Sequence, residues 1–374
     1  MSNQVKTKNQ KYQNDQWVLA RTPAEGWPTD GDFRYQSVPV PEPGRGQCLT
    51  RTIYLSLDPY QWGRRRSGTE KPGEVCHGRT VSRVVASRTP DYAEGDFLFN
   101  TNGWQRYGLT GEGIDCFGYM FPRRLDPVVA PISTAVGVMG MLGLTAYSGM
   151  LVQCDPQVGE TVVVSAASGG VGQVAGQLAK IRGCRVVGVT STPEKCAFVT
   201  DELGFDAVVS HLADDFEAAL AAACPDGIDV YFENVGGRVY EAVLPLLNRH
   251  GRITICGMIS QYGNTDGRPA AEAWMETGQP FFERQQVTPH GLFVGNFVKD
   301  HQDRFLAEMA DWIRDGRIVY REDVWTGLEK APEAFAAMLK GGNFGKTLVA
   351  VSEDPTRRAA GAEGFATRRS VRAD

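Results

Sequence analysis

Apolar residues are spaced in three ways along this chain, and each spacing predicts a different kind of element. Between residues 17 and 104 short apolar runs alternate with Pro and Gly turns: residues 17–21 read as a strand, residues 33–64 continue the pattern, and residues 96–100 and the region of Trp104 extend it. That is an all-β pattern. From residue 161 to about 298, β-branched runs alternate with helix-spaced ones. Val162, Val163 and Val164 open this part, small residues and glycines follow, Val171, Val174, Leu178 and Ile181 come at helical spacing, and a second apolar run covers 186–189. Strand, glycine turn, helix and strand make one βαβ unit. Further strands are expected at 207–209, 228–232 and 252–256, with helices around 214–224 and 240–247. This succession predicts an α/β fold with a parallel, doubly wound sheet. Beyond it, Phe305, Leu306, Met309, Trp312 and Ile313 mark an amphipathic helix over 299–315; a second helix is expected at 332–339 and a last strand at 347–351. Residues 1–15 are expected to be disordered, and the tail from 353 to 374, with five arginines among small residues, to be mobile.

The glycines inside the βαβ unit carry the first chemistry. They fit GxGxxA at Gly170, Val171, Gly172, Gln173, Val174 and Ala175, with Gly176 next. Gly170 permits a tight turn, Gly172 lets the backbone approach a pyrophosphate, and the small Ala175 allows the helix to pack closely on the sheet. The first amides of such a helix are unpaired and sit at the positive end of its dipole, where phosphates bind. Glycines also mark ordinary turns, but here the flanking strand and helix are both present, which favours a dinucleotide. The glycine-rich ends of the strands at 228–232 and 252–256, ENVGG and CGMISQY, lie where such a cofactor is held.

The end of the second strand bears on which dinucleotide. NAD sites place Asp or Glu there, roughly 20 residues past the glycines, to bond the ribose. This chain reads Thr190, Ser191, Thr192, Pro193, Glu194, Lys195, with the acid late and a lysine beside it. Hydroxyls plus an ammonium suit the extra phosphate of NADP. The same residues also read as a helix start capped by Thr192, and the two readings are compatible.

Composition narrows the partners. The chain has 374 residues, enough for two domains, and a net charge of -5, which argues against nucleic acid as a main partner. Its eight cysteines are scattered without a CxxC pair, as expected of free thiols in a reducing cytoplasm, and the polar first residues carry no secretory signal. Residues 127–154 lack charge, but Pro131 and Gly137, Gly140, Gly143 and Gly149 interrupt them, so buried helices are expected rather than a membrane span. No zinc framework is seen, since Cys48 has no partner at ligand spacing and Cys76 and His77 stand alone. A dehydrogenase without zinc must polarise its substrate oxygen by hydrogen bonds.

Several segments together resemble the zinc-independent medium-chain dehydrogenase/reductases, in the branch of prostaglandin reductases, leukotriene hydroxydehydrogenase and plant double-bond (2-alkenal) reductases. They are YLSLDPYQWGR (54–64), GWQRYGL (103–109), GLTAYSGM (143–150), AASGGVGQVAGQLAK (166–180), PDGIDVYFENVGG (225–237), GRITICGMISQY (251–262) and MLKGGNFGKTLV (338–349). The resemblance covers about 18–351. It implies a Rossmann NADP-binding domain, 151–298, inserted in a GroES-like β-rich catalytic domain made of 16–150 and 299–352. It implies a homodimer and the NADPH-dependent reduction of a double bond conjugated to a carbonyl, without metal. An alcohol or ketone dehydrogenase, a quinone reductase and a non-catalytic NADP-binding sensor are the alternatives.

By position the resemblance places the phosphate loop on Gly170, Val171, Gly172 and Gln173, and the contact to the extra phosphate on Lys195, beside Ser191. Asn234, the run Cys256, Gly257, Ile259, Ser260 and Tyr262, the segment Phe293, Val294 and Gly295, and Asn343 match other cofactor contacts. A family tyrosine near the adenosine phosphate falls on His211 here, which leaves a donor whose strength depends on pH. Tyr262 matches the tyrosine near the nicotinamide, and as a phenol it stays protonated near neutrality and can donate to the enolate. Tyr60 falls in the substrate pocket. The family's DPYMRGRM becomes Asp58, Pro59, Tyr60, Gln61, Trp62, Gly63, Arg64, Arg65, Arg66. That arginine run is either a solvated basic loop or a rim, with Arg65 and Arg66, that attracts an anionic substrate.

Overall fold

The computed structural model describes residues 13–24, 26–116, 121–264, 270–358 and 367–372. Its centre is a six-stranded parallel sheet in the spatial order Ala207–Ser210, Arg185–Thr190, Thr161–Ser165, Ile228–Glu233, Leu247–Ile255, Thr288–Gly291. Numbered along the chain this is 3-2-1-4-5-6, the Rossmann order, whose direction reverses beside Thr161–Ser165. The apolar runs follow from double coverage. Val162, Val164, Val230 and Phe232 face one core, while Val163, Val187, Tyr231 and Ile253, at alternating positions, face the other. A strand with both faces buried reads as a continuous apolar run.

Both ends of the chain build the second sheet. Its order is Thr367–Arg372, Tyr320–Thr326, Lys346–Ala350, Gln47–Ser56, Thr80–Ser87, Phe97–Asn100, Arg123–Leu125, with Tyr107–Gly111 also on Gln47–Ser56. The α/β sheet is thus inserted into a β-rich unit. The uncharged stretch forms the buried helix Met141–Tyr147 and the wider turn Ser148–Cys154. No described helix is long and apolar enough to cross a membrane.

Several sequence expectations are corrected. The first strand begins at Gln13 and pairs antiparallel with Phe33–Pro39, so the end of the segment expected to be disordered is a strand; residues 1–12 lie outside the described residues. The supposed arginine loop is the helix Tyr60–Arg66. Residues 270–291, for which the sequence suggested nothing, supply the helix Ala270–Gln285 and the sixth central strand. In the tail expected to be mobile, Thr367–Arg372 is a strand beside Tyr320–Thr326. The helix over 299–315 starts earlier, at Gly295–Arg314.

The helix also needs a small residue at Gly176, which faces Phe205 in the connection before the strand Ala207–Ser210. A Cβ on Gly176 would lie 1.8 Å from Phe205 Cζ, and Phe205 is buried. Gly176→Ala is therefore expected to lower stability by about 1–3 kcal/mol despite alanine's better helix propensity, read as a lower urea midpoint.

Candidate active site

The phosphate-type loop is shaped by two close backbone approaches. Ala166 takes a φ of 48° and its carbonyl accepts from Gly169 N at 2.8 Å. A Cβ on Gly172 would come within 2.2 Å of that carbonyl, so only glycine fits where the helix Gly172–Ile181 begins. The β-rich unit reaches across to this loop: Gly345 N donates to Ser168 O at 3.1 Å, and Gly169 and Gly345 form a parallel bridge. Ser168 Oγ lies 2.8 Å from Thr190 Oγ1, tying the loop to the end of the second strand.

A cavity of about 740 Å³ runs along this seam. At one end lie Gly170, Val171, Gly172, Ser191, Lys195 and His211. Thr192 caps the helix Pro193–Ala197 by accepting from Lys195 N, and Lys195 Nζ donates to Gly341 O at 2.9 Å. Burial, then the charges of Lys195 and Arg238, hold the His211 imidazole below its usual range. Glu194 is exposed and does not line the cavity.

The middle of the cavity is made by strand ends. Asn234 Nδ2 donates to Ser165 O at 2.7 Å, and its backbone N donates to Ser165 Oγ at 2.7 Å. Behind it Glu233 is fully buried and accepts from Gly236 N at 2.8 Å, from Val235 N and from the Tyr231 hydroxyl; burial raises its carboxyl. Glu233 thereby folds the ENVGG turn under Asn234. The run from Cys256 is hung on this turn through Cys256 N to Glu233 O and Ile259 N to Asn234 O. Cys256, Gly257, Ile259, Ser260 and Tyr262, with Phe293, Val294 and Asn343, line the cavity.

Away from Lys195, Tyr262, Trp27, Tyr60 and Leu57 form the walls, and the buried pair Lys346 and Asp58 joins them to the loop at Gly170. Burial pushes the Tyr262 phenol up to about 12, so it remains protonated. Arg66 holds the tyrosine's loop in place, donating from Nη1 to Tyr262 O at 2.7 Å and from Nη2 to Asn264 O at 2.8 Å. Lys346 Nζ donates to Asp58 Oδ1 at 2.8 Å and to Leu57 O at 2.6 Å, while Ser56 Oγ donates to Asp58 Oδ2. The Tyr60 hydroxyl contacts His77 Nε2 and Arg79.

Four residues expected at the site do not line the cavity. Gln173 turns its amide to Arg321, accepting from its N at 2.8 Å and donating to its O, and so clips the helix to the second sheet. Gly295 begins a helix outside the cavity. Arg66 serves the loop just described. Arg65 is fully buried, with Nε 3.1 Å from Glu70 Oε1 and its guanidinium 4.5 Å from the Trp104 ring and 4.8 Å from that of Phe335. The anionic-substrate rim is thereby corrected: on a seven-residue helix Trp62 and Arg65 share the inward face. Sequence reasoning missed Asp58 and Lys346, although a lone charge at the start of an apolar strand is a signal of a buried partner. It also missed Arg79, Trp27 and Glu233. Among the described residues no group of three or more His, Cys, Asp or Glu side chains could hold a metal ion.

Comparison with known proteins identifies relatives of the chain. The family model described as "Zinc-binding dehydrogenase" matches residues 170–312, and "N-terminal domain of oxidoreductase" matches 15–115. The chain is 43% identical over 354 residues to the NADPH-dependent curcumin reductase of Escherichia coli, covering 92% of this chain and 99% of that protein. It is 38% identical over 335 residues to prostaglandin reductase 1 of Mus musculus, covering 89% and 98%. The crystal structure of CurA from Vibrio vulnificus in complex with NADPH superposes with a TM-score of 0.82 at 39% identity, over 91% of this chain and all of that one.

The two arginines are separable by experiment. Arg65→Glu, which sets a second carboxylate beside Glu70 inside the ring cage, is expected to destabilise by at least ~3 kcal/mol in urea unfolding, whereas Arg66→Ala stays within ~1 kcal/mol.

Proposed function

Because the chain belongs to the zinc-independent medium-chain dehydrogenase/reductases, in the branch of prostaglandin and 2-alkenal reductases, we propose that it reduces the carbon–carbon double bond of an α,β-unsaturated carbonyl compound with NADPH. The observation that carries this reading is one continuous cavity with a glycine-bounded anion cradle and Lys195 at one end and two tyrosines in an apolar wall at the other.

The residues present fit the cofactor. The cradle has no room for a side chain at Gly172, and the amides at the start of the helix Gly172–Ile181 suit a diphosphate. Lys195, Ser191 and His211 would hold the additional phosphate. Asn234, the run from Cys256 to Ser260, Phe293 with Val294, and Asn343 would hold the remainder, and Gln173 contributes only its backbone. When bound, NADPH supplies the hydride. The chain's part is to bind the enone against Leu57, Trp27 and Ile259, to exclude water there, and to meet the negative charge that grows on the carbonyl oxygen. Tyr262, whose phenol burial pushes up to about 12, donates a hydrogen bond to that oxygen. Arg66 keeps the tyrosine's loop where the donor is needed.

We further propose a homodimer in the cytoplasm. Thr288–Gly291 is the outermost strand of the parallel sheet, the end a second copy would meet, and the eight cysteines are free thiols.

The test is NADPH oxidation with an enone, an enal, a quinone and a saturated ketone. Enone- and enal-dependent oxidation is expected, with deuterium from 4-deuterated NADPH appearing on the β-carbon. Turnover of the quinone alone, of the ketone alone, or cofactor binding without turnover would sink the proposal in favour of a quinone reductase, a ketone dehydrogenase or a sensor. Separately, Lys195→Met is expected to weaken NADPH binding roughly 10- to 100-fold while leaving NADH binding nearly unchanged, read by fluorescence titration.

A further inference from the structure

The substrate end of the cavity contains a hydrogen-bonded chain that the reading above leaves unused. Tyr60 is part of the wall, with its hydroxyl 2.6 Å from Arg79 Nη1 and 2.7 Å from His77 Nε2. Both partners are buried. A guanidinium only donates, so Arg79 occupies one lone pair of the tyrosine oxygen. The hydroxyl's single proton can then go to His77 Nε2 when that nitrogen is bare. When Nε2 carries hydrogen and donates, the tyrosine proton can point into the cavity instead. The same two distances serve both arrangements. His77 also lines a second cavity of about 100 Å³, together with Arg64, Thr69, Glu70 and Glu74. Thr69 and Glu74 are exposed, so this second cavity reaches the surface. Tyr60 and His77 therefore bridge the wall between the substrate cavity and a water-accessible one.

Resting on the reductase reading, we propose that Arg79, Tyr60 and His77 form a proton relay in which Tyr60 is the acid that protonates the α-carbon once hydride has reached the β-carbon. The Tyr60 O–H bond breaks as the new Cα–H bond forms, and Arg79 stabilises the phenolate left behind. His77 Nε2–H then returns a proton to the phenolate while Nδ1, itself buried in the wall, takes one from water admitted through the second cavity, and a turn of the ring restores Nε2–H for the next turnover. One solvent proton is consumed per double bond, which balances the hydride. His77 is suited to passing protons rather than storing one. Burial and the charges of Arg79, Arg64 and Arg65 hold its imidazole well below the usual range. Glu70 and Glu74 face the second cavity, and burial keeps the neighbouring Cys76 thiol protonated, up to about 12. The two transfers at the ring thus run together without a standing imidazolium. Tyr262, raised by burial and by Cys256, is suited to hydrogen-bond the oxyanion and leaves the proton itself to Tyr60.

The experiment compares wild type with Tyr60→Phe and His77→Gln in steady-state enone reduction in H2O and D2O. NADPH fluorescence titration checks that each variant is folded, and side-chain 15N shifts read the His77 tautomer. Tyr60→Phe is expected to lower kcat roughly 10²-fold with NADPH affinity kept, and to shift the His77 nitrogens. Glutamine can still bond Tyr60 but cannot pass a proton through, so His77→Gln should lower kcat roughly 10-fold, leave KM unchanged and enlarge the solvent isotope effect. If wild type reduces enones while both variants keep kcat within about twofold and the isotope effect is unaltered, the relay is wrong and the reductase reading stands. A wild type that reduces no enone overturns both, because the relay then has no carbanion to serve.

Discussion

The site depends on one backbone contact between distant parts of the chain, the bond from Gly345 N to Ser168 O with the bridge to Gly169. It joins the phosphate-type loop of the parallel sheet to a strand of the other unit. The contact demands glycine on the far side: Gly345 has a φ of 89°, and a Cβ there would stand 2.3 Å from Arg321 O. The residue that follows, Lys346, goes inward to Asp58 and Leu57, which brings the start of the Tyr60–Arg66 helix to the same seam. Three segments far apart in sequence are thereby held at one place. Removing one member of such a buried pair typically costs about 3–5 kcal/mol, because the other is left charged without compensation.

Buried charge recurs all around the cavity, and each group positions something else. Lys346 and Asp58 hold the strand end before Tyr60. Arg65, paired with Glu70 and enclosed by rings, anchors the helix that carries Tyr60 and Arg66. Glu233 gathers the donors of the ENVGG turn and, through Cys256 and Ile259, the loop of Tyr262. Arg65 and Glu233 do not touch the cavity space and Lys346 and Asp58 do, yet all of them set where the two tyrosines stand. A hydroxyl on a loop is useful for chemistry only if its backbone cannot wander, and charge-assisted bonds to carbonyls supply that restraint.

The parts of this arrangement that were legible in the sequence are those fixed locally. The Val162–Val164 run, the glycines at Gly170 and Gly172, and the helix-spaced Val174 and Leu178 lie within one βαβ unit, so short-range pattern suffices to read them. The strand ends bearing Asn234 and Cys256 follow from the same alternation. Arg65 was not legible, because its cage comes from Phe33, Trp104 and Phe335, three points spread along the chain. Three consecutive arginines read as a solvated run until helical phase puts the middle one inward. The helix Ala270–Gln285 was hidden by its polarity and by Pro280, and the strand Thr288–Gly291 is short, with a proline of its own. The tail strand is specified by the open edge of Tyr320–Thr326, which the tail's own composition does not reveal.

This division explains why the cofactor end can be read from sequence more readily than the substrate end. A dinucleotide is gripped by backbone amides and strand ends, features that one contiguous fold unit must repeat in the same order. A substrate at the other end would meet side chains that arrive from separate segments, Trp27, Leu57 with Tyr60, and Ile259 with Tyr262. Apart from Leu57, whose N donates to Thr347 O, exchange of these side chains leaves both sheets and the Gly345 contact in place. The substrate wall can therefore vary while hydride delivery stays fixed. His77 and Arg79 stand behind that wall, buried and aimed at the Tyr60 hydroxyl. A wall selected for shape alone would fill such positions with apolar side chains, since burying a guanidinium and an imidazole is unfavourable unless their hydrogen bonds are used.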